Sequence, residues 1–149
     1  MSRIDSIIFV CLGNICRSPI AQAIAQKYVK ENDLHIEVAS AGTGSWHIGE
    51  PPCENSIKVC IQNGLDIAHQ RASQIKKEDL DKYDVIVGLD DSNIANLKKL
   101  GAKNVLKLGD FGYNGADVPD PYFFEGFEGF DKVYEMINIC VRNLMDEKC

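Results

Sequence analysis

Short apolar runs alternate with stretches of helical periodicity along this chain. Four of the runs are predicted to be strands, at residues 7–10, 36–40, 84–89 and 105–108. The run at 7–10 is β-branched and aromatic and has no polar face. This pattern is typical of a strand that is buried on both sides of a parallel sheet.

Apolar residues that recur every three or four positions predict helices between these strands and after the last one. The helices are expected at 19–30, 54–63, 76–83 and 91–100, and one face of a C-terminal helix is marked by Phe130, Val133, Ile137, Cys140 and Leu144. Ser18 suits the N-cap of the first helix, and Pro19 suits its first helical position. Residues 109–126 are rich in Gly, Pro and Asp and predict a long loop, which is often functional.

Strands that alternate with helices predict an α/β fold in which helices cover both faces of a parallel sheet. Ligands of such sheets bind at the carboxyl ends of the strands. The length of 149 residues and the hydrophobic content of 45% fit one globular domain spanning 1–149.

Composition narrows the class of protein further. Six cysteines are too few for a disulfide scaffold, and no N-terminal stretch looks like a signal peptide or a membrane span. We therefore expect a cytoplasmic protein with no membrane partner. The 16 basic and 22 acidic residues give a net charge of −6, which disfavours nucleic acid as a partner.

The candidate chemistry lies in the loop from Cys11 to Ser18, between the first strand and the first helix. Cys11 ends the strand, so its thiol should lie beside the helix N-terminus, where backbone N–H groups favour both a thiolate and a bound phosphate. Arg17 can bind two oxygens of a tetrahedral anion. Gly13 and Asn14 tolerate the left-handed backbone of an anion-binding loop. The structural alternative is a core cysteine followed by a surface arginine.

A second candidate is Asp120, in the run Val-Pro-Asp-Pro-Tyr at 118–122. The two prolines stiffen the loop and would hold the carboxyl group in place as a general acid. A simple turn before proline is the structural alternative.

Four separated segments resemble the low-molecular-weight protein tyrosine phosphatases over essentially the whole chain. They are Phe-Val-Cys-Leu-Gly-Asn-Ile-Cys-Arg-Ser-Pro at 9–19, Ser-Ala-Gly at 40–42, Asp-Asp-Ser-Asn at 90–93 and Asp-Pro-Tyr at 120–122. The resemblance implies a single flavodoxin-like domain of the phosphotyrosine phosphatase I type, with a four-stranded parallel sheet. It also implies hydrolysis of phosphotyrosine in two steps through a phosphocysteine, without a metal or another cofactor.

The resemblance also implies roles for individual residues. Cys11 is the nucleophile, Arg17 clamps the transferred phosphoryl group, and Asp120 acts as acid and then as base. The other expected site residues are Leu12, Gly13, Asn14, Ile15, Cys16 and Ser18 in the phosphate-binding loop, Trp46, His47, Tyr122 and Phe123 in the substrate cleft, and Ser40, His69 and Asp90 in a supporting network.

Several of these positions have structural alternatives. Trp46 could anchor its own loop, His69 could be a satisfied structural histidine, and Asp90 could cap a helix. Ser18 could donate to the Cys11 thiolate as well as cap its helix. Cys16 could form a reversible disulfide with Cys11, or it could be a small buried side chain.

Three other functions compete with phosphotyrosine hydrolysis. Arsenate reduction needs two relay cysteines after the third strand, and residues 87–93 contain none. Arginine phosphatases resemble this family but usually carry Thr where this chain has Ile15. An inactive phosphate-binding module would need a defect outside Cys11, Arg17 and Asp120.

The chain also departs from the family at two positions. Phe123 stands where a second Tyr is frequent, and Cys53 stands where an acidic residue is common. Phosphotyrosine-containing proteins are the expected partners, and a monomer or a weak dimer is the expected assembly.

Overall fold

The computed structural model of the protein describes residues 4–120 and 127–149, without the side chain of Glu128. Its strands are β1 (Ser6–Cys11), β2 (Glu37–Gly42), β3 (Val85–Gly88) and β4 (Val105–Lys107). Its α-helices are α1 (Ser18–Glu31), α2 (Glu54–Gln62), α3 (Lys77–Lys82), α4 (Asp91–Leu100) and α5 (Glu128–Lys148), and Leu108–Phe111 forms a short 3-10 helix. The strand expected at 105–108 is therefore shorter by one residue, because Leu108 already belongs to that turn.

The four strands form one parallel sheet in the order β2-β1-β3-β4. The predicted α/β fold with a four-stranded parallel sheet is confirmed. Phe9 of β1 lies opposite Ser40 on one side and Val87 on the other, so β1 is paired along both edges. The chain leaves β1 toward β2 and later returns to the other side of β1 with β3. This reversal leaves a crevice at the carboxyl ends of β1 and β3, where ligands of such sheets bind.

Alternate residues of β1 pack on opposite faces of the sheet, which explains its unbroken apolar run. Ile7, Phe9 and Cys11 belong to the larger core, which α1 and α5 cover. Ile8 and Val10 belong to a smaller core with Leu97 of α4. The predicted inner face of the C-terminal helix is confirmed, because Phe130, Val133, Ile137, Cys140 and Leu144 are all buried.

In the two described ranges, no helix combines the length and the apolar character that crossing a membrane requires.

Two isoleucines of α5 test the assignment of its buried face. Ile137 is fully buried and Ile139 is 38% exposed. We expect Ile137→Ala to lower the free energy of unfolding by about 2–5 kcal/mol, because it leaves a cavity in the larger core. The matched change Ile139→Ala should cost less than about 1 kcal/mol. Urea denaturation measures both, and equal losses would contradict the assignment.

Candidate active site

The Cys11 thiol lies at the carboxyl end of β1 and is buried. Its Sγ is 3.0 Å from Ser18 Oγ, and the Asn14 backbone N–H donates to Sγ at 3.3 Å. Ser18 Oγ also accepts a bond from Asn14 Nδ2 at 2.7 Å, which leaves its own proton for the sulfur. Two donors therefore face the sulfur and can stabilise negative charge on it.

Ser18 is the first residue of α1, and the N-cap is Arg17, whose side chain makes no capping bond. The predicted N-cap role of Ser18 is therefore wrong. Its hydroxyl is occupied by Cys11 and Asn14 instead of the free N–H groups of the helix.

Asn14 holds the loop in shape through its backbone and its side chain. Its φ of 58° is the left-handed conformation that Asn tolerates better than most residues. Besides its bond to Ser18, the Asn14 side-chain Nδ2 donates to Ser40 Oγ at 2.9 Å. The side-chain Oδ1 of Asn14 accepts from the Ser73 backbone N–H at 3.0 Å. Ser40 in turn donates to the Gln22 side chain. Asn14 and Ser40 thus lie in one network, as expected.

His69 differs from the expectation. It is exposed and has no described contact with Asn14 or Ser40. The neighbouring Gln70 is buried instead and donates from its side chain to the Pro19 carbonyl at 3.2 Å. Because Gln70 is turned inward, His69 is on the solvent side of its segment, and the Ser73 backbone makes the contact with the loop.

Arg17 connects the loop to two other parts of the chain. Its Nη1 donates to Asp90 Oδ2 at 2.7 Å and to the Val118 carbonyl at 2.9 Å. Burial opposes the positive charge, but Cys11 and Asp90 outweigh it and raise the Arg17 pKa above its ordinary value. Asp90 is also the N-cap of α4, accepting from the Asn93 backbone N–H at 2.7 Å. The helix-cap alternative for Asp90 is therefore confirmed, and its other contact is with Arg17.

The expected catalytic residues, most of the phosphate-binding loop and the described cleft residues meet at one cavity of about 300 Å³. The cavity is lined by Cys11, Leu12, Gly13, Ile15, Cys16, Arg17, Trp46, His47 and Asp120. Trp46 is 71% exposed, and its ring lies so close to Gly44 that a Cβ there would overlap the ring, so Trp46 packs on its own loop as well as lining the cavity. His47 Nδ1 lies 2.8 Å from Glu50 Oε2 at the rim. Tyr122 and Phe123, expected in the cleft, lie outside the described residues.

Cys16 is bonded to Cys53, with a Cα–Cα distance of 5.4 Å, and Cys11 is a free thiol. Neither alternative for Cys16, a disulfide with Cys11 or a small buried side chain, is found: Cys16 is half-buried, and its disulfide joins the nucleophile loop to the start of α2. The two segments are also joined by a backbone bond from Cys53 N–H to the Ile15 carbonyl at 2.8 Å. Cys60 and Cys140 are buried, which raises their pKa to about 12 and about 11, whereas Cys149 is exposed.

Lys107 supports the loop that leads to Asp120, a contact that the sequence pattern did not indicate. Its Nζ lies 2.8 Å from Asp91 and 2.7 Å from Asp117, and its side chain is only 14% exposed. The Asp91 backbone N–H also donates to Asp117 at 3.0 Å. These bonds attach the loop to the first turn of α4. The sequence signal that could have indicated this contact is a lysine placed between apolar residues in a short strand.

This fold and site define a cysteine-dependent phosphatase. The sequence profile described as "Low molecular weight phosphotyrosine protein phosphatase" matches residues 6–148. The chain therefore belongs to the low-molecular-weight phosphotyrosine protein phosphatase family, whose cysteine-based mechanism is general to its members.

Individual relatives agree with this assignment. The low molecular weight protein-tyrosine-phosphatase PtpA of Staphylococcus aureus is 40% identical over 145 residues, covering 94% of this chain and 91% of PtpA. The structure of YfkJ from Bacillus subtilis is 35% identical with a TM-score of 0.88, covering 98% of this chain and 95% of YfkJ. The Drosophila arginine phosphatase DARP is 29% identical with a TM-score of 0.87, covering 95% of this chain and 96% of DARP.

Two variants of Asn14 separate its backbone role from its side-chain role. Asn14→Ala removes the buried amide bonds and strains the left-handed backbone, so we expect a loss of about 3 kcal/mol or more in unfolding free energy. Asn14→Gly removes the same bonds but relieves the strain, and it should recover about 1 kcal/mol of that loss. Urea denaturation measures both variants. Wild-type stability of Asn14→Gly would show that the amide bonds contribute nothing.

The Lys107 contacts predict a pH-dependent contribution to stability. The bond from Lys107 lowers the pKa of Asp117, so this stabilisation is present above the ordinary Asp pKa and is lost as pH falls through the folded-state value. Bonds to Asp117 and Asp91 raise the pKa of Lys107. On the alkaline side the same stabilisation is therefore lost as pH rises through the folded-state pKa of Lys107. Lys107→Met should therefore cost about 1 kcal/mol at pH 7 and almost nothing at about pH 2.

Urea denaturation at the two pH values measures this difference. The control is Lys82→Met, because Lys82 pairs with Glu37 at 3.6 Å while both side chains are more than half exposed. It should leave the free energy of unfolding close to the wild-type value at either pH, because solvent screens an exposed ion pair. A Lys107→Met loss that persists at the acid pH would assign the effect to packing and not to charge.

Proposed function

We propose that this protein hydrolyses phosphotyrosine, with Cys11 as nucleophile, Arg17 as phosphoryl clamp and Asp120 as general acid and base. The observation that carries the proposal is that the thiol, the guanidinium and the carboxyl group line the same cavity. The described hydrogen bonds of Arg17 use Nη1 alone, so Nη2 and Nε are available for two phosphoryl oxygens.

In the first step the Cys11 thiolate forms a bond to phosphorus and the bond between phosphorus and the aryl oxygen breaks. Asp120 gives its proton to the leaving oxygen, which departs as a phenol. In the second step the Asp120 carboxylate takes a proton from water, and the water oxygen attacks phosphorus. The sulfur–phosphorus bond breaks, inorganic phosphate leaves, and the Ser18 hydroxyl stabilises the departing thiolate.

The walls of the cavity favour an aryl phosphate as substrate. Ile15 and Leu12 give it apolar sides, and the exposed ring of Trp46 can stack on a substrate ring. Tyr122 and Phe123 are proposed to complete this wall. A phosphotyrosine-containing protein is thus the proposed partner, and the proposed setting is the cytoplasm, with the protein acting as a monomer or a weak dimer.

The role of Asp120 is tested by the dependence of turnover on the leaving group. We expect Asp120→Asn to lower kcat for phenyl phosphate by about 10²–10⁴-fold. The loss should be smaller for 4-nitrophenyl phosphate, because its leaving group is a weaker base and needs the proton less. Asp110→Asn, a change at an exposed aspartate before the same loop, is the control and should leave kcat unchanged. Near-normal turnover of phenyl phosphate by Asp120→Asn would refute the assignment.

The substrate class is tested by comparing peptides that carry phosphotyrosine, phosphoserine or phosphoarginine. The proposal requires wild type to prefer phosphotyrosine and Cys11→Ser to be inactive on all three. Preference for phosphoarginine would support the activity named for the Drosophila relative, and arsenate-dependent consumption of a thiol reductant would support reduction.

A further inference from the structure

A second groove lies beside the catalytic cavity, on the opposite side of Trp46 and Leu12. It has a volume of about 460 Å³, and Trp46 and Leu12 line both spaces. The two residues thus form a ridge between the groove and the cavity. Both are exposed, at 71% and 41%, so the ridge is open to a bound molecule.

The floor of the groove is built by the end of β2 and the segment that pairs with it. Ile75 donates its backbone N–H to the Gly42 carbonyl at 2.8 Å, and the Gln74 side chain donates to the Thr43 carbonyl at 3.3 Å. These bonds make the floor rigid. The Thr43 hydroxyl is buried and has no hydrogen-bond partner within the described ranges, so a ligand in the groove could satisfy it.

The far wall of the groove belongs to α4 and carries positive charge. Lys99 lines the groove, and Lys98 and Lys103 lie near it along the chain. All three are exposed, and none of them forms an ion pair in the part of the chain that the structure describes. The protein as a whole has a net charge of −6, so these three lysines, of which Lys99 lines the groove, are a local group of positive charges on an acidic protein.

We propose that this groove binds the polypeptide flanking the phosphotyrosine of a protein substrate and that Lys99 selects an acidic residue there. The inference rests on the proposed function, because it places the phosphotyrosine ring in the catalytic cavity and its neighbours across the ridge. The ridge formed by Leu12 and Trp46 contacts the peptide, and the Lys99 ammonium pairs with the carboxylate of an acidic residue in the peptide.

The test compares a peptide with phosphotyrosine flanked on both sides by Asp and Glu with one in which these residues are Asn and Gln. Phenyl phosphate is the third substrate, because it is too small to reach the groove. We expect wild type to favour the acidic peptide, and Lys99→Glu to lower the ratio of kcat/KM for the acidic peptide to that for phenyl phosphate by about five-fold or more. Lys99→Arg should keep the wild-type ratio.

The matched control is Lys27→Glu. Lys27 is exposed on α1, which covers the other face of the sheet, and the substitution changes the net charge by the same amount. If Lys27→Glu lowers the ratio as much as Lys99→Glu, or if wild type shows no acidic preference, the groove proposal is overturned. If wild type does not hydrolyse phenyl phosphate, it is the proposed function that fails.

Discussion

The rest of the site depends on the pairing of the Arg17 guanidinium with Asp90 and the Val118 carbonyl. The side chain is 4% exposed, and a buried charge is tolerated only when it is paired and hydrogen-bonded. Its bonds to Asp90 and to the Val118 carbonyl join the nucleophile loop, the start of α4 and the loop that carries Asp120. One charge therefore aligns the three parts of the chain that the proposed reaction needs.

The loop is also shaped by positions where an ordinary residue would not fit. A Cβ on Gly42 would lie 2.6 Å from the Leu12 carbonyl oxygen, so the end of β2 is in direct backbone contact with the loop. Asn14 supplies the left-handed turn and bonds to Ser18, Ser40 and the Ser73 backbone. Such rigidity keeps the groups around a phosphoryl oxygen in place before the substrate arrives, which lowers the reorganisation needed during reaction.

The residues that sequence reasoning misplaced are those whose surroundings come from distant parts of the chain. Cys16 is close to Cys11 in sequence, yet it is bonded to Cys53, which is 37 positions away. His69 matches a supporting position by resemblance, but the burial of Gln70 turns it to solvent. Lys107 follows apolar residues in a strand, and nothing local indicates that Asp91 and Asp117 will both reach its ammonium group.

Three properties follow from the sequence alone: the order and type of the elements, the inner face of α5, and the placement of Cys11 and Arg17 in one loop. These properties are local, since periodicity and short spacing are set by the geometry of a single strand, turn or helix. The meeting of remote groups comes from the tertiary structure: Arg17 and Val118 are 101 positions apart, and the groove is lined by Leu12, the loop after β2, residues 74–75 and α4. Such meetings depend on strand order and on the paths of the crossovers, which the local pattern of side chains does not specify.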